Sequence, residues 1–176
     1  MVGRRTQCSP SVVEASGLAA LRRPILPSEI PIEERDLILR TGRAVCLAAD
    51  RRGPEAQKDF ERLAADYPKE ANVHYTFGSF LLSTDPDAAV AEFKKTLELD
   101  AKHLPTLVSI CFEYLKRGEP QNAIPYARKA VEYGPKLFVT HASLGRALVE
   151  GGQVDEGIKE LEMAVEMAPD SPQTRI

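Results

Sequence analysis

The sequence has 176 residues, 43% of them hydrophobic and 28% charged, with a formal net charge of −3. This size and make-up fit one soluble globular domain or two small ones, and the even charge balance argues against the basic footprint of a nucleic-acid binder. No stretch reaches the roughly 18–20 apolar residues of a membrane span, and abundant Ala and Leu with few β-branched runs favour helices.

Residues 1–36 match nothing later in the chain and read as an irregular extension. Arg4 and Arg5 precede an apolar stretch, as in a secretory signal. Glu14 interrupts that stretch, however, and Arg22 and Arg23 stand where small cleavage-site residues belong. Ser11 to Arg23 is a candidate helix, which would be the second of a degenerate upstream repeat. Pro24, Pro27 and Pro31 then punctuate a connector, because each fixes φ and restricts the residue before it. The cysteines, Cys8, Cys46 and Cys111, are odd in number and far apart, so reduced thiols are expected rather than a disulfide framework.

From Leu37 the pattern is helical. Leu37, Leu39, Ala44, Val45 and Leu47 make one helix, which Gly53-Pro54 breaks. A second helix carries Ala56, Phe60, Leu63 and Ala64 at spacings of three and four, the mark of a one-faced apolar stripe. The next pair covers 71–83 and 86–99. Asp85-Pro86 starts its second helix, because Asp caps free N–H groups and Pro fits the first turn. A third pair, 104–117 and 120–133, splits at Gly118 and holds Pro125 inside its second helix, where a lost hydrogen bond should bend the helix or confine its start. The fourth, 138–150 and 154–168, splits at Gly151-Gly152 and ends at Pro169; Ser171-Pro172 begins what reads as a further helix over 172–176.

Two of these blocks can be laid on each other. Residues 104–137 and 138–171 agree at an offset of 34 residues: Gly118 on Gly152, Ala130 on Ala164, Pro135 on Pro169. Such a period marks a tandem array in which stacked neighbours complete each other's core. The pattern W-x2-L-G-x2-Y, A-x3-F, P is that of the tetratricopeptide repeat, and the chain resembles it in four consecutive units, 37–70, 71–103, 104–137 and 138–171. His74, Phe77, Gly78 and Leu81 fill the first-helix slots of the second unit, with Ala89 and Phe93 after them. Leu107, Ile110, Cys111 and Tyr114 do so in the third, and His141, Leu144, Gly145 and Leu148 in the fourth. The first unit is the most worn, with Arg40 and Arg43 at apolar slots. The wording is similar to that of bacterial members of the family. The resemblance implies an all-α, right-handed solenoid of helix hairpins whose first helices line a concave groove for peptides or protein segments.

In that family the ligand side of each first helix falls at set places. Here they are Thr41, Val45 and Ala48; Tyr75, Ser79 and Leu82; Val108, Phe112, Leu115 and Lys116; Ala142, Arg146, Val149 and Glu150. Chaperone-binding members clamp a terminal carboxylate with Lys and Asn at the first two places of each set. This chain has neither, so no chaperone tail is expected. The groove set is therefore Tyr75, Ser79, Leu82, Val108, Phe112, Lys116 and Arg146: apolar, suited to an extended or helical segment, with Lys116 and Arg146 as polar anchors. The competing reading is that these side chains only pack between neighbouring first helices.

Little in the sequence points to catalysis. His74 and His141 take a packing slot, and His103 falls in a turn, where solvation is expected. Metal-ligand spacing and phosphate-binding or nucleophile motifs are missing, so neither enzyme activity, metal nor cofactor is expected. Glu160 and Glu162 read as a solvated face. Residues 138–171 set Arg146 and Lys159 against seven acidic residues, an imbalance that either a basic partner or a solvated surface explains. The expectation is a non-catalytic scaffold, with a cytoplasmic location favoured. Its alternative is the repeat region of a longer enzyme or of a secretion or assembly component. Self-association through the open last repeat is a third reading.

Overall fold

The structure is a computed structural model and describes residues 31–168. Cys8, the candidate helix over 11–23, Pro24, Pro27 and the expected helix over 172–176 lie outside the described residues. Among the described residues eight helices follow one another: α1 (Ile32–Ala49), α2 (Gly53–Asp66), α3 (Ala71–Leu81), α4 (Pro86–Leu99), α5 (Leu104–Lys116), α6 (Pro120–Tyr133), α7 (Phe138–Glu150) and α8 (Val154–Met167). Among the described residues there is no strand. The helices pack as consecutive hairpins, α1 with α2 through to α7 with α8, which is the all-α architecture the repeat period implies. They fall into two compact units, one ending at Lys69 and one beginning at Glu70.

In the first unit Ala44 and Leu47 of α1 are buried, as are Ala56, Phe60 and Leu63 of α2. Helix α1 begins at Ile32, ahead of Leu37. The two arginines at apolar slots have polar partners. Arg40 donates to Asp36 and Asp66, and Arg43 lies 3.0 Å from Asp59. Surface pairs of this kind add little stability, so this hairpin leans on Phe60 and Leu63.

In the second unit α3 pairs with α4, α5 with α6 and α7 with α8, while α6 also packs on α7. The junction of the last two hairpins is one apolar cluster: Ile124 and Ala127 of α6 meet Leu144, Ala147 and Leu148 of α7, with Cys111 of α5. Asp85 caps α4 as its sequence implies, accepting from the Ala88 N–H at 3.0 Å. Helix α6 runs through Pro125, which is exposed, so water can satisfy the Gln121 carbonyl that the proline leaves without a donor.

Three of the four described hairpin turns share one device. Gly118 and Gly152 sit at φ 73° and 84°, and Arg51, at the same place of the first repeat, sits at φ 59°. A β-carbon is penalised in this left-handed region and glycine is not. Arg51→Gly is therefore expected to raise stability by about 1 kcal/mol, read as a higher urea midpoint at unchanged slope.

Candidate functional site

The expected groove residues lie on α3, α5 and α7, the first helices of their hairpins. Helices α5 and α7 touch directly, which brings Phe112 and Arg146 together: the guanidinium lies 6.0 Å from the Phe112 ring centroid. Arg146 also donates from Nε to Glu150 at 2.7 Å. Phe112 remains 39% exposed, and Val149, one turn along α7 from Arg146, is exposed too. Lys116 follows Phe112 by one turn of α5, with its Nζ 3.8 Å from Glu113. Glu113 is itself buried and accepts from Arg117 at 3.0 Å, and Arg117 reaches across to Asp87 of α4 at 2.6 Å. Through Arg117 this network ties the end of α5 to α4.

The α3 part of the expected set is arranged differently. Tyr75 is half-buried, its ring centroid 4.9 Å from that of His103 and 5.9 Å from that of Phe93. Ser79 is exposed but turns its hydroxyl back to the Tyr75 carbonyl at 2.9 Å. Leu82, at the end of α3, and Val108, on α5, are half-buried. The structure thus gathers Phe112, Lys116 and Arg146 on the α5–α7 face, and ties Tyr75 into the packing around His103.

His103 corrects the expectation of a solvated turn residue. It is the N-cap of α5, and its Nδ1 accepts from the Thr106 backbone N–H at 3.3 Å and from the Thr106 hydroxyl at 2.7 Å. Its Nε2 then carries the hydrogen and donates to Asn72 of α3 at 3.3 Å. Desolvation in this site holds the His103 pKa below the usual imidazole value. The unfolded chain therefore binds the proton more readily, so this contribution to stability is present above the unfolded pKa of roughly 6.5 and is lost as the pH falls below it. His103→Asn keeps a capping side chain and cannot titrate. Thermal melts from pH 7.5 to pH 5 should show the parent losing stability faster than the variant.

Sequence reasoning also missed two buried pairs. His74 donates from Nδ1 to Glu92 at 2.7 Å, and His141 donates from Nδ1 to Glu160 at 2.7 Å. Both histidines fill the packing slot expected of them, but Glu160 is a half-buried partner and not a solvated residue. His141 Nε2 lies 2.9 Å from the Pro135 carbonyl. Both ring nitrogens of His141 thus have polar partners. A signal existed: each histidine is followed by Glu at the same repeat position, whereas the third repeat has Leu107 with Tyr126.

Cys111 is free and buried, and burial pushes its thiol up to about 12, which suits inert packing. Cys46, in contrast, is disulfide-bonded; the expectation of reduced thiols fails there. Among the described residues no group of three or more His, Cys, Asp or Glu is placed to hold a metal ion. No helix among them is long and apolar enough to cross a membrane.

Comparison with known proteins bears on the fold. A family model described as tetratricopeptide repeat matches residues 114–175. A double mutant of MamA RS-1 superposes with a TM-score of 0.70 at 22% identity, over 77% of this chain and 77% of that one. MamA 41-end from Desulfovibrio magneticus RS-1 gives 0.66 at 22% identity, over 77% and 79%. YrrB, described as a TPR protein with an unusual peptide-binding site, gives 0.64 at 19% identity, over 74% and 68%. No curated protein sequence matches. With small residues at the close helix contacts, consecutive helix hairpins and the matched model over residues 114–175, the chain has the helix-hairpin fold of tandem tetratricopeptide-repeat proteins.

Proposed function

We propose that the α5–α7 face captures a segment of a partner protein, and that the chain acts as a scaffold without chemistry of its own. One observation carries the reading: Phe112, a large aromatic on a first helix, is 39% exposed beneath the Arg146 guanidinium. Buried aromatics and arginines dominate the energy of protein interfaces, and here both stand uncovered on neighbouring helices. An arriving apolar side chain would pack on the Phe112 ring. A carboxylate on the same segment would compete with Glu150 for Arg146 or engage Lys116. YrrB, which shares the fold, is described as having a peptide-binding site. The missing Lys and Asn clamp turns the reading away from chain termini and toward an internal segment.

Phe112→Ala is expected to weaken capture of such a segment tenfold or more, in line with the roughly 2 kcal/mol or more typical of an interface hot spot. Helicity should be retained and the melting temperature should fall only a little, because Phe112 is exposed and lies outside the buried core. Isothermal titration beside circular dichroism checks both. A variant that binds normally, or one that unfolds, would sink the groove reading.

A further inference from the structure

The disulfide at Cys46 has one candidate partner in this sequence. Of the three cysteines Cys111 is free and buried, which leaves Cys8. Cys46 is half-buried on a face of α1 that runs through Leu39, Arg43, Cys46, Leu47 and Asp50, spaced as one helical stripe. Among the described residues these five line a cavity of about 220 Å³. One face of a single helix is convex and encloses nothing by itself, so a further segment must supply the opposite wall.

The sequence sets Cys8 at the right distance for that wall. Pro24, Pro27 and Pro31 punctuate the connector between the candidate helix over 11–23 and α1. Cys8 stands 19 residues before Pro27, and Cys46 stands 18 after Ser28. Two helices folded back about this connector would run antiparallel, about 18 Å from residue 11 to 23 and about 21 Å from 32 to 46 at the helical rise. The two cysteines then meet at the same end, within the roughly 7 Å between Cα atoms that a disulfide needs. Val13, Gly17, Ala20 and Leu21 repeat the spacing of Leu39, Arg43, Cys46 and Leu47 and form an apolar stripe to lay against them. We infer that Cys8 is the partner of Cys46, and that their bond lays residues 9–23 along this face of α1 as a reducible strap. A dithiol passes two electrons and two protons to the bond, leaving thiols on Cys8 and Cys46 and a disulfide on itself, and so frees the strap. The bond persists in oxidising surroundings and opens where thiols are kept reduced. The inference concerns the first unit and is independent of the Phe112 face.

Peptide mapping tests the bond. The full chain, purified without reductant, is alkylated in denaturant, digested with trypsin and read by mass spectrometry. Residues 6–22 and 44–51 should appear as one linked pair that dithiothreitol separates, with Cys111 as the alkylated cysteine. Alkylated Cys46, a link from Cys46 to the same residue of a second copy, or a link to a small thiol would overturn the inference. Limited proteolysis tests the strap. Trypsin should cut the native chain after Arg22 at least tenfold more slowly in the oxidised protein than after dithiothreitol. Cys8→Ser should match the reduced rate without reductant, and Val13→Asp, which keeps both cysteines, should also speed the cut. Equal rates before and after reduction, or a Cys8→Ser chain cut as slowly as the oxidised parent, would overturn the strap.

Discussion

Glu92→Ala should destabilise the chain by about 3 kcal/mol, the low end of what breaking a buried ion pair costs. Glu92 is 8% exposed and His74 4% exposed, and the carboxylate accepts from both His74 and Lys95. Removing it leaves the buried imidazole Nδ1 without its acceptor and a small void between α3 and α4. The third repeat shows the remedy. There the same two places hold Leu107 and Tyr126, and Tyr126 packs on Tyr114 with centroids 5.9 Å apart. His74→Leu with Glu92→Tyr should therefore recover most of the loss, because a buried pair replaced by well-packed apolar groups costs little. Urea denaturation of the two variants beside the parent is the check. A Glu92→Ala protein as stable as the parent would mean that the pair is idle.

The second large effect lies where α7 crosses α8. A β-carbon built on Gly145 would stand 2.6 Å from Leu161 Cγ and 2.8 Å from the Gly157 carbonyl. The Leu161 side chain can turn aside, but the carbonyl belongs to the α8 backbone and yields only if the helix moves. Gly145→Val should cost about 3 kcal/mol, the upper part of the range for overpacking a tight contact. Gly42, in the interior of α1, has nothing within 4 Å of such a β-carbon. Gly42→Ala should instead stabilise by about 0.5–1 kcal/mol through helix propensity and the restricted unfolded chain. Opposite shifts of the melting temperature in the two variants would show that backbone approach, not glycine content, sets the cost.

The repeat was legible because its slots are dictated by size. Gly78, Cys111 and Gly145 are small where helices cross, Phe77, Ile110 and Leu144 fill the gaps, and Asp85-Pro86 with Gly118 and Gly152 mark the turns. Polar interactions were harder to read. Glu92 and Glu160 look like members of a solvated face until α3 and α7 bring a histidine to each. His103 was hidden because histidine is not among the favoured N-cap residues, and only the fold shows its Nδ1 facing the start of α5. The groove was half legible: the resemblance to the repeat family implied Phe112 and Arg146 on neighbouring first helices, but could not foresee that Tyr75 would pack against a turn histidine. Helix α1 starts at Ile32 with Glu34, Arg35 and Asp36 in its first turns, a polar run without the apolar spacing that marks a helix.

The proposed scaffold role rests on the α5–α7 face, and one measurement addresses it most directly. Peptides selected on the full chain from a random display library would be titrated into isotope-labelled protein, and the amide and side-chain shifts mapped residue by residue. The account predicts that the largest perturbations cluster at Phe112, Lys116, Arg146 and Val149, and that Arg146→Ala weakens the same peptides tenfold. Perturbations confined to other helices, or a library that yields no binder, would contradict it.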